Sequence, residues 1–420
     1  MRKRRWRGLS SRLWPRPPLN RGQPGENCGY NKPVERYLET MSDTIERLTG
    51  ADYEEAMDTM GHAFGFEEGR DFPSLLPQIY RPTDEWMQAI YAIRRDGKIV
   101  SAVGCHPRDW QVGDTTLKLG GIGGVCTLHD YRGQGLMKRL MDRAVDDMVA
   151  EEYHLSWLGG QRQRYQYYGY ERCGNVLTYT LGPANIRHAD RNARAIRFEL
   201  MTEDTTDWIA AAKAMHERRP IHVLRGDDDF ILYLLSGYNE PLVAFDSNGD
   251  MLGYVTYKDG GIKEVTATDA ETALDVLVAC SLDQNSRLGV MVQPDDVGLS
   301  RLLGGMAEAV NVSGSGNWQI YDWETTLDAL MKVKRETHQI EEGEVNVEVD
   351  SDTFKLFVTT DRTGCVKTDD APDLALTAFE AHRLLFGPTR PVDVVEIPDR
   401  ARMLNTWMPL PLGFMRADSV

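Results

Sequence analysis

Between Gly123 and Gly135 the chain reads Gly-Gly-Val-Cys-Thr-Leu-His-Asp-Tyr-Arg-Gly-Gln-Gly, an apolar run that ends in a basic, glycine-rich turn. Val125–Leu128 is short, apolar and bounded by glycines on one side and His129-Asp130 on the other, which reads as a buried strand. Arg132, Gly133, Gln134 and Gly135 make the turn. Beyond it Leu136, Leu140, Ala144 and Met148 recur every fourth residue, with Met137 and Met141 on the adjoining row, so a helix is predicted to open directly from the loop. The first N–H groups of a helix have no internal partner and sit at the positive end of its dipole, which suits them to anions. Glycine at 133 and 135 lets the backbone come close where a Cβ would intrude, and Arg132 adds a guanidinium. The chemistry available to such a strand, loop and helix start is the seating of a pyrophosphate.

Arg132-x-x-Gly135 followed by Leu136-Met137 resembles motif A of the GNAT acetyltransferase superfamily, which cradles the pyrophosphate of acetyl-CoA. Met137 stands where that motif usually has Gly or Ala, a departure shared by the enhanced intracellular survival family of aminoglycoside and lysine acetyltransferases. The resemblance implies acetyl-CoA as cosubstrate and no metal. Val125 and Thr127 are then expected to meet the pantetheine amides through backbone groups, as an added strand would. Arg132, Gly133, Gly135 and Leu136 are expected around the pyrophosphate, with Gln134 and Met137 completing the cofactor-binding stretch.

A second stretch, Tyr165-x-x-Tyr168-Gly169-Tyr170, is similar to the aromatic segment that lies beside the thiolester in GNAT enzymes. When an amine attacks, coenzyme A leaves as a thiolate that must be protonated, and a nearby phenol can supply the proton. Tyr165 is therefore the expected general acid, and Tyr167, Tyr168 and Tyr170 are read as packing residues. Attack also requires a neutral amine. Many GNAT enzymes place a Glu on the strand before the loop, whereas here Gly120, Gly121, Gly123 and Gly124 stand there, and His129 reads as a solvent-facing turn residue. In the resembling family the carboxylate at the end of the chain takes part with the Tyr, which implies Val420 here.

The elements that must position these residues run in GNAT order. Ile45–Leu48 reads as a strand, 51–64 as a helix with Tyr53, Met57, Met60 and Phe64 on one side, and 89–94 with 98–105 as a hairpin turning at Asp96-Gly97. A strand at 115–119 leads to the loop, and His154–Leu158 is a strand after the helix. Gly182-Pro183 is read as the end of this domain. The chain beyond it looks like a worn copy of the same domain: strands at 242–245, 251–256 and 262–267, and then Asp269-Ala-Glu-Thr where Arg-Gly-Gln-Gly stood. Two carboxylates and no glycine cannot hold a pyrophosphate, so this second domain is expected to be structural, with Glu217 and Asp227–Asp229 lending negative charge to a cleft. From about Gly316 the order of strands and helices, with a Thr377/Glu380 capping box, resembles a sterol-carrier-protein-like domain.

A chain of 420 residues exceeds what one core serves, and 41% hydrophobic content is enough for packed cores. The expected domains are 1–40 as a disordered basic tail, 41–183 as the catalytic GNAT domain, 184–315 as a degenerate GNAT-like domain and 316–420 as the sterol-carrier-like domain, with an α/β (α+β) fold of tandem mixed sheets. The tail carries ten Lys/Arg and three Asp/Glu, which leaves the rest near −23 against a total of −16. Met41 reads as an alternative start. So acidic a body repels nucleic acid and anionic lipid and favours cationic substrates, although solubility explains the charge equally well. Six scattered cysteines without a Cys-x-x-Cys pair fit a reduced cytosol, and no apolar run reaches bilayer length. The expectation is a cytoplasmic N-acetyltransferase acting on a small-molecule or peptide amine, without nucleic-acid or membrane partners, and a homo-oligomer, hexameric in the resembling family. The alternative is a lipid or acyl-CoA binding protein that uses the third domain.

Overall fold

The computed structural model describes residues 43–67, 69–191 and 193–420; the basic tail at 1–40 lies outside them. Three mixed or antiparallel sheets carry the described chain. The first has eight strands, in the order Ile45–Arg47, Ile90–Arg95, Lys98–Val112, Thr115–Thr127, Leu155–Leu158, Gly316–Ile320 and Glu171–Cys173, with Ile221–Val223 added beside Lys98–Val112. The second has seven, Ala309–Ser313, Val176–Leu181, Leu288–Val292, Gly261–Ala267, Met251–Lys258, Glu240–Phe245 and Arg197–Leu200. The third has four, Thr363–Thr368, Asp352–Val358, Gly343–Val349 and Leu374–Leu376.

The sheets do not follow the chain breaks read from the sequence. Val176–Leu181, which precedes Gly182-Pro183, pairs with Leu288–Val292 and Ala309–Ser313 in the second sheet. Gly316–Ile320 pairs with Leu155–Leu158 and Glu171–Cys173 in the first. Pro183 starts a helix, Pro183–His188, instead of ending a domain; the local turn signal is genuine, and the strand before it is already committed elsewhere. One core runs from the back of the first sheet, through Trp110 and Trp318, into the third unit at Leu330, Phe354 and Trp407.

The strand predicted at Val125–Leu128 is the end of a longer one, Thr115–Thr127, that continues through the whole glycine run. Its register against Lys98–Val112 shifts by one residue between Ala102↔Cys126 and Gly104↔Gly123. Gly124, at φ +59°, lies in this bulge, a conformation that favours glycine. On the other side the strand runs parallel to Leu155–Leu158, but the pairing stops at Ile122↔Leu158. Beyond it, no described strand pairs with that edge of Gly123–Thr127. The helix Leu136–Ala150 then lays Leu136, Leu140, Met141, Ala144 and Met148 on the sheet, the apolar row visible in the sequence. The capping box closes the helix Ala378–Phe386, with Thr377 Oγ1 donating to Glu380 at 2.8 Å.

The segment after Trp407 is buried, with Leu410, Leu412, Phe414, Met415 and Ala417 at 5% exposure or less. Phe414 lies tilted against Trp157 and edge to face with Trp318, with ring centres 4.7 and 5.8 Å away. Among the described residues, no helix is long and apolar enough to cross a membrane. The five described cysteines are buried and free.

Candidate active site

The unpaired strand edge, the loop and the helix start enclose a cavity of about 500 Å³. Val125, Cys126 and Thr127 form one wall, Arg132, Gly133, Gly135, Leu136 and Met137 another, and Ala63 and Phe64, at the end of the helix Tyr53–Phe64, a third. Gly133 and Gly135 have φ of +78° and +76°, and a Cβ on either would meet nothing within 4 Å, so it is backbone conformation and not crowding that selects glycine there. Gly135 is the N-cap of Leu136–Ala150, with no side chain capping the helix and no acidic residue in its first turn. The orphan N–H groups of that turn are therefore open to an anion. Arg132 donates through Nε to the Thr127 carbonyl at 3.2 Å and through Nη2 to the Ala63 carbonyl at 3.5 Å, tying two cavity walls together. Gln134 is turned away from the lining: its amide bonds Arg95 and the Asp130 carbonyl. An uncapped helix start, two glycines with positive φ and a guanidinium fit the diphosphate of coenzyme A. The free strand edge fits its amide arm.

Tyr165 ends a short helix, Arg162–Tyr165, which is fastened by Arg162 and Gln166 to the fully buried carboxylate of Glu171, at 2.7 Å from Arg162 Nη2 and 2.9 Å from Gln166 Nε2. Tyr165 is 7% exposed and belongs to the buried cluster that also holds Leu158, Tyr170 and Met148. Burial pushes its phenol above the ordinary value. The cavity lining includes Arg164 and not Tyr165. Tyr170 packs as expected, its hydroxyl 2.7 Å from Ser156 Oγ, whereas Tyr167, read as a packing residue, is 89% exposed. His129 is exposed beside Asp130, as a turn residue.

The glycine run has a purpose that its reading as a missing acid does not convey. A Cβ at Gly123 would lie 2.6 Å from the Val420 carbonyl carbon, and one at Gly121 would lie 2.9 Å from both Val420 methyls. Gly120 gives way to Met148 in the same manner, and a Cβ at Gly124 would lie 2.8 Å from the Tyr80 hydroxyl. The last residues thus lie on the bulged strand just before Val125. They are held there by Gln78, whose Nε2 donates to the Ser419 carbonyl at 3.0 Å, and by Ser236, whose hydroxyl donates to the Ala417 carbonyl at 3.1 Å. Asp418 accepts from Arg225 Nε at 2.8 Å, and Arg225 Nη2 donates to Glu264 at 2.9 Å, all three side chains being buried. Burial pushes the Glu264 carboxyl up, but Arg225 and His216 outweigh it and hold it well below the usual carboxylate range.

Residues that sequence reasoning did not single out gather around this terminus. Tyr80 and His106 meet edge to face with ring centres 5.7 Å apart; the Tyr80 hydroxyl and both His106 ring nitrogens are buried without hydrogen-bond partners. Burial, then the neighbouring Arg108, bring His106 down to about 3, so it is neutral at physiological pH. The only sequence signal for His106 is a histidine facing the glycines across a hairpin.

The fold and one domain are known elsewhere. Residues 44–173 match the family described as an acetyltransferase (GNAT) domain. No curated protein matches the chain. Among solved structures, a GCN5-related N-acetyltransferase from Kribbella flavida is 17% identical with a TM-score of 0.64, covering 90% of this chain and 100% of its own. Eis1 from Mycobacterium abscessus is 16% identical with a TM-score of 0.63, covering 90% and 100%. A conserved protein of Enterococcus faecalis V583, described as a probable N-acyltransferase, is 16% identical with a TM-score of 0.63, covering 89% and 98%. The likeness to these structures is one of fold, and it extends over the tandem arrangement of mixed sheets. With a GNAT domain in its first sheet, the chain is an acyltransferase.

Proposed function

We propose that the chain is an acetyl-CoA-dependent N-acetyltransferase that acts on a primary amine of a cationic acceptor, of the kind carried by aminoglycosides, polyamines or a lysine side chain. The observation that carries the reading is the cavity of about 500 Å³ walled by an uncapped helix start, Arg132 and an unpaired strand edge. Acetyl-CoA would supply an activated acetyl group, its diphosphate on the N–H groups around Gly133–Met137 and its amides along Val125 and Thr127. A diphosphate on these groups fixes where the rest of the molecule lies, because the strand edge allows one direction of approach.

In this reading Tyr165 is the general acid. The resemblance of its aromatic segment supports this role, and burial favours the protonated phenol that could be passed to the departing sulfur. Val420 takes part as the resemblance implies, lying against Gly121 and Gly123 of the strand that carries Val125. The resemblance to the enhanced intracellular survival family, and with it the sterol-carrier-like third unit, a cytoplasmic location and a homo-oligomer, belongs to the same proposal.

The lipid-binding alternative draws no support from the third unit. The cavity of about 790 Å³ between it and Thr115 is lined by Phe357, Cys365 and Val366 but also by Asp328, Lys332, Arg335, Glu336 and Arg362, charged groups that an acyl chain would have to desolvate. Thiol release from acetyl-CoA, measured against a panel of aminoglycosides, polyamines and lysine peptides, tests the proposal. Release that depends on the amine supports it, and none with any amine, from protein that binds coenzyme A, refutes it.

A further inference from the structure

The second sheet keeps the cavity of the first. In the first sheet the end of the strand Thr115–Thr127, the start of the helix Leu136–Ala150 and the end of the helix Tyr53–Phe64 wall the cofactor space. In the second, the end of the strand Gly261–Ala267, the start of the helix Ala270–Asp283 and the turn after the helix Thr206–His216 wall a cavity of about 250 Å³. The diphosphate features are gone. Asp269 caps its helix, accepting from the Thr272 N–H at 2.9 Å and the Thr272 hydroxyl at 2.8 Å, which closes that helix start to an anion.

Three carboxylates line this space, and two have other duties. Asp269 caps one helix and Asp296 the next, accepting from the Leu299 N–H at 3.2 Å. Asp295 caps nothing. It is 5% exposed, and its Oδ1 is sealed from water without a hydrogen-bond partner. Arg219 lines the same cavity; its Nε is buried and unpartnered, and its Nη1 reaches only the Val265 carbonyl, at 3.5 Å. Thr266 adds a third buried, unpartnered polar atom, its hydroxyl. Among the described residues Asp295 and Arg219 form no ion pair, although they share one space. A buried carboxylate left unpaired is costly, and a guanidinium nearby would ordinarily close on it. Opposite charges held apart across a space this size are matched by a guest that carries both charges itself.

We propose that this cavity binds a small zwitterion, with its ammonium group on Asp295 and its carboxylate on Arg219, and with the Thr266 hydroxyl as a further hydrogen-bonding group. The site is independent of acetyl transfer: it stands on the second sheet, and it reuses the cofactor cavity of the repeat after the basic loop has been replaced by a capped one. A small amino acid is the class of ligand it would take, and 5-aminovalerate is the probe chosen for it.

Calorimetric titration of the full chain with 5-aminovalerate, pentylamine and valerate tests this, with circular dichroism to show that each variant is folded. The expected result is binding of 5-aminovalerate at least tenfold tighter than of either singly charged probe, weakened at least tenfold by Asp295→Asn and by Arg219→Gln. No heat with 5-aminovalerate, or equal binding by wild type and folded Asp295→Asn, overturns the proposal. Pentylamine binding as tightly as 5-aminovalerate overturns the role of Arg219. Because both substituted residues line the second cavity and neither lines the first, an amine that docks only beside the first cavity is recognised by its indifference to both variants. Coenzyme A binding, titrated separately, reports on acetyl transfer alone.

Discussion

In the proposed reading a phenol gives its proton to the departing thiolate, and burial in the core of the first sheet favours the protonated form of Tyr165. Tyr165→Phe keeps that packing and removes the proton. It is expected to lower amine-dependent thiol release by roughly 100-fold or more, the usual worth of a positioned acid, while coenzyme A affinity stays within about twofold; equal rates for the two proteins would remove Tyr165 from the mechanism. Asp295 makes an opposite prediction. Burial pushes its carboxyl up to about 6, with Arg219 opposing and Asp296 adding to the shift, and Arg218 and Asp269 also facing the cavity. A folded-state value above the unfolded one means that the protonated form is favoured on folding, so stability falls as pH rises from about 4 to about 6. Asp295→Asn should therefore be more stable than wild type by about 2–3 kcal/mol at pH 8 and indistinguishable at pH 3, read by denaturant unfolding. Although the cavity lining does not include it, Tyr165 is singled out in the sequence by its aromatic, glycine-punctuated neighbourhood. Asp295 is not, because nothing local distinguishes an aspartate that caps a helix from the adjacent one that does not.

At the scale of elements, the organising unit is a bulged strand that hands over to a helix. The loop is legible because its signals are local: glycines where φ is positive, an apolar row every fourth residue, an arginine at the turn. The strand before it falls into two pieces in the sequence because four glycines look like an interruption. Their cause is nonlocal. Gly121 and Gly123 leave room for residue 420, and Gly124 absorbs the extra residue of the bulge. Substituting Gly123→Ala places a methyl group 2.6 Å from the Val420 carbonyl carbon and must displace the terminus. Thiol release should fall at least tenfold with coenzyme A affinity little changed, because the diphosphate cradle lies beyond the bulge. Unchanged turnover would detach Val420 from the chemistry. Gly135→Ala acts at the other end of the same unit, at φ +76°, and should weaken coenzyme A binding itself, with a stability cost of about 1 kcal/mol.

Among the described residues, the segment 407–420 returns to the first sheet, where it is largely buried. The second sheet supplies Arg225 and Glu264 to fix Asp418, and the third unit shares its core with the back of the first through Trp318 and Phe414. Replacing Arg225 with Met leaves two buried carboxylates without their cation, and a loss of about 3–5 kcal/mol in unfolding free energy is expected. Such long-range closure cannot be read from the chain, since Arg225 and Asp418 are far apart in sequence and neither carries a local signature. The exchange of strands between the first and second sheets is hidden for the same reason: pairing partners are chosen by tertiary packing, and the Gly182-Pro183 turn says only where a strand stops. The proposed chemistry depends on coenzyme A sitting at the start of the helix Leu136–Ala150. The most direct measurement is a calorimetric titration of the folded protein with coenzyme A, alongside Arg132→Ala. Saturable heat that weakens about tenfold or more in the variant is the predicted result; no heat from wild-type protein shown to be folded would contradict the account.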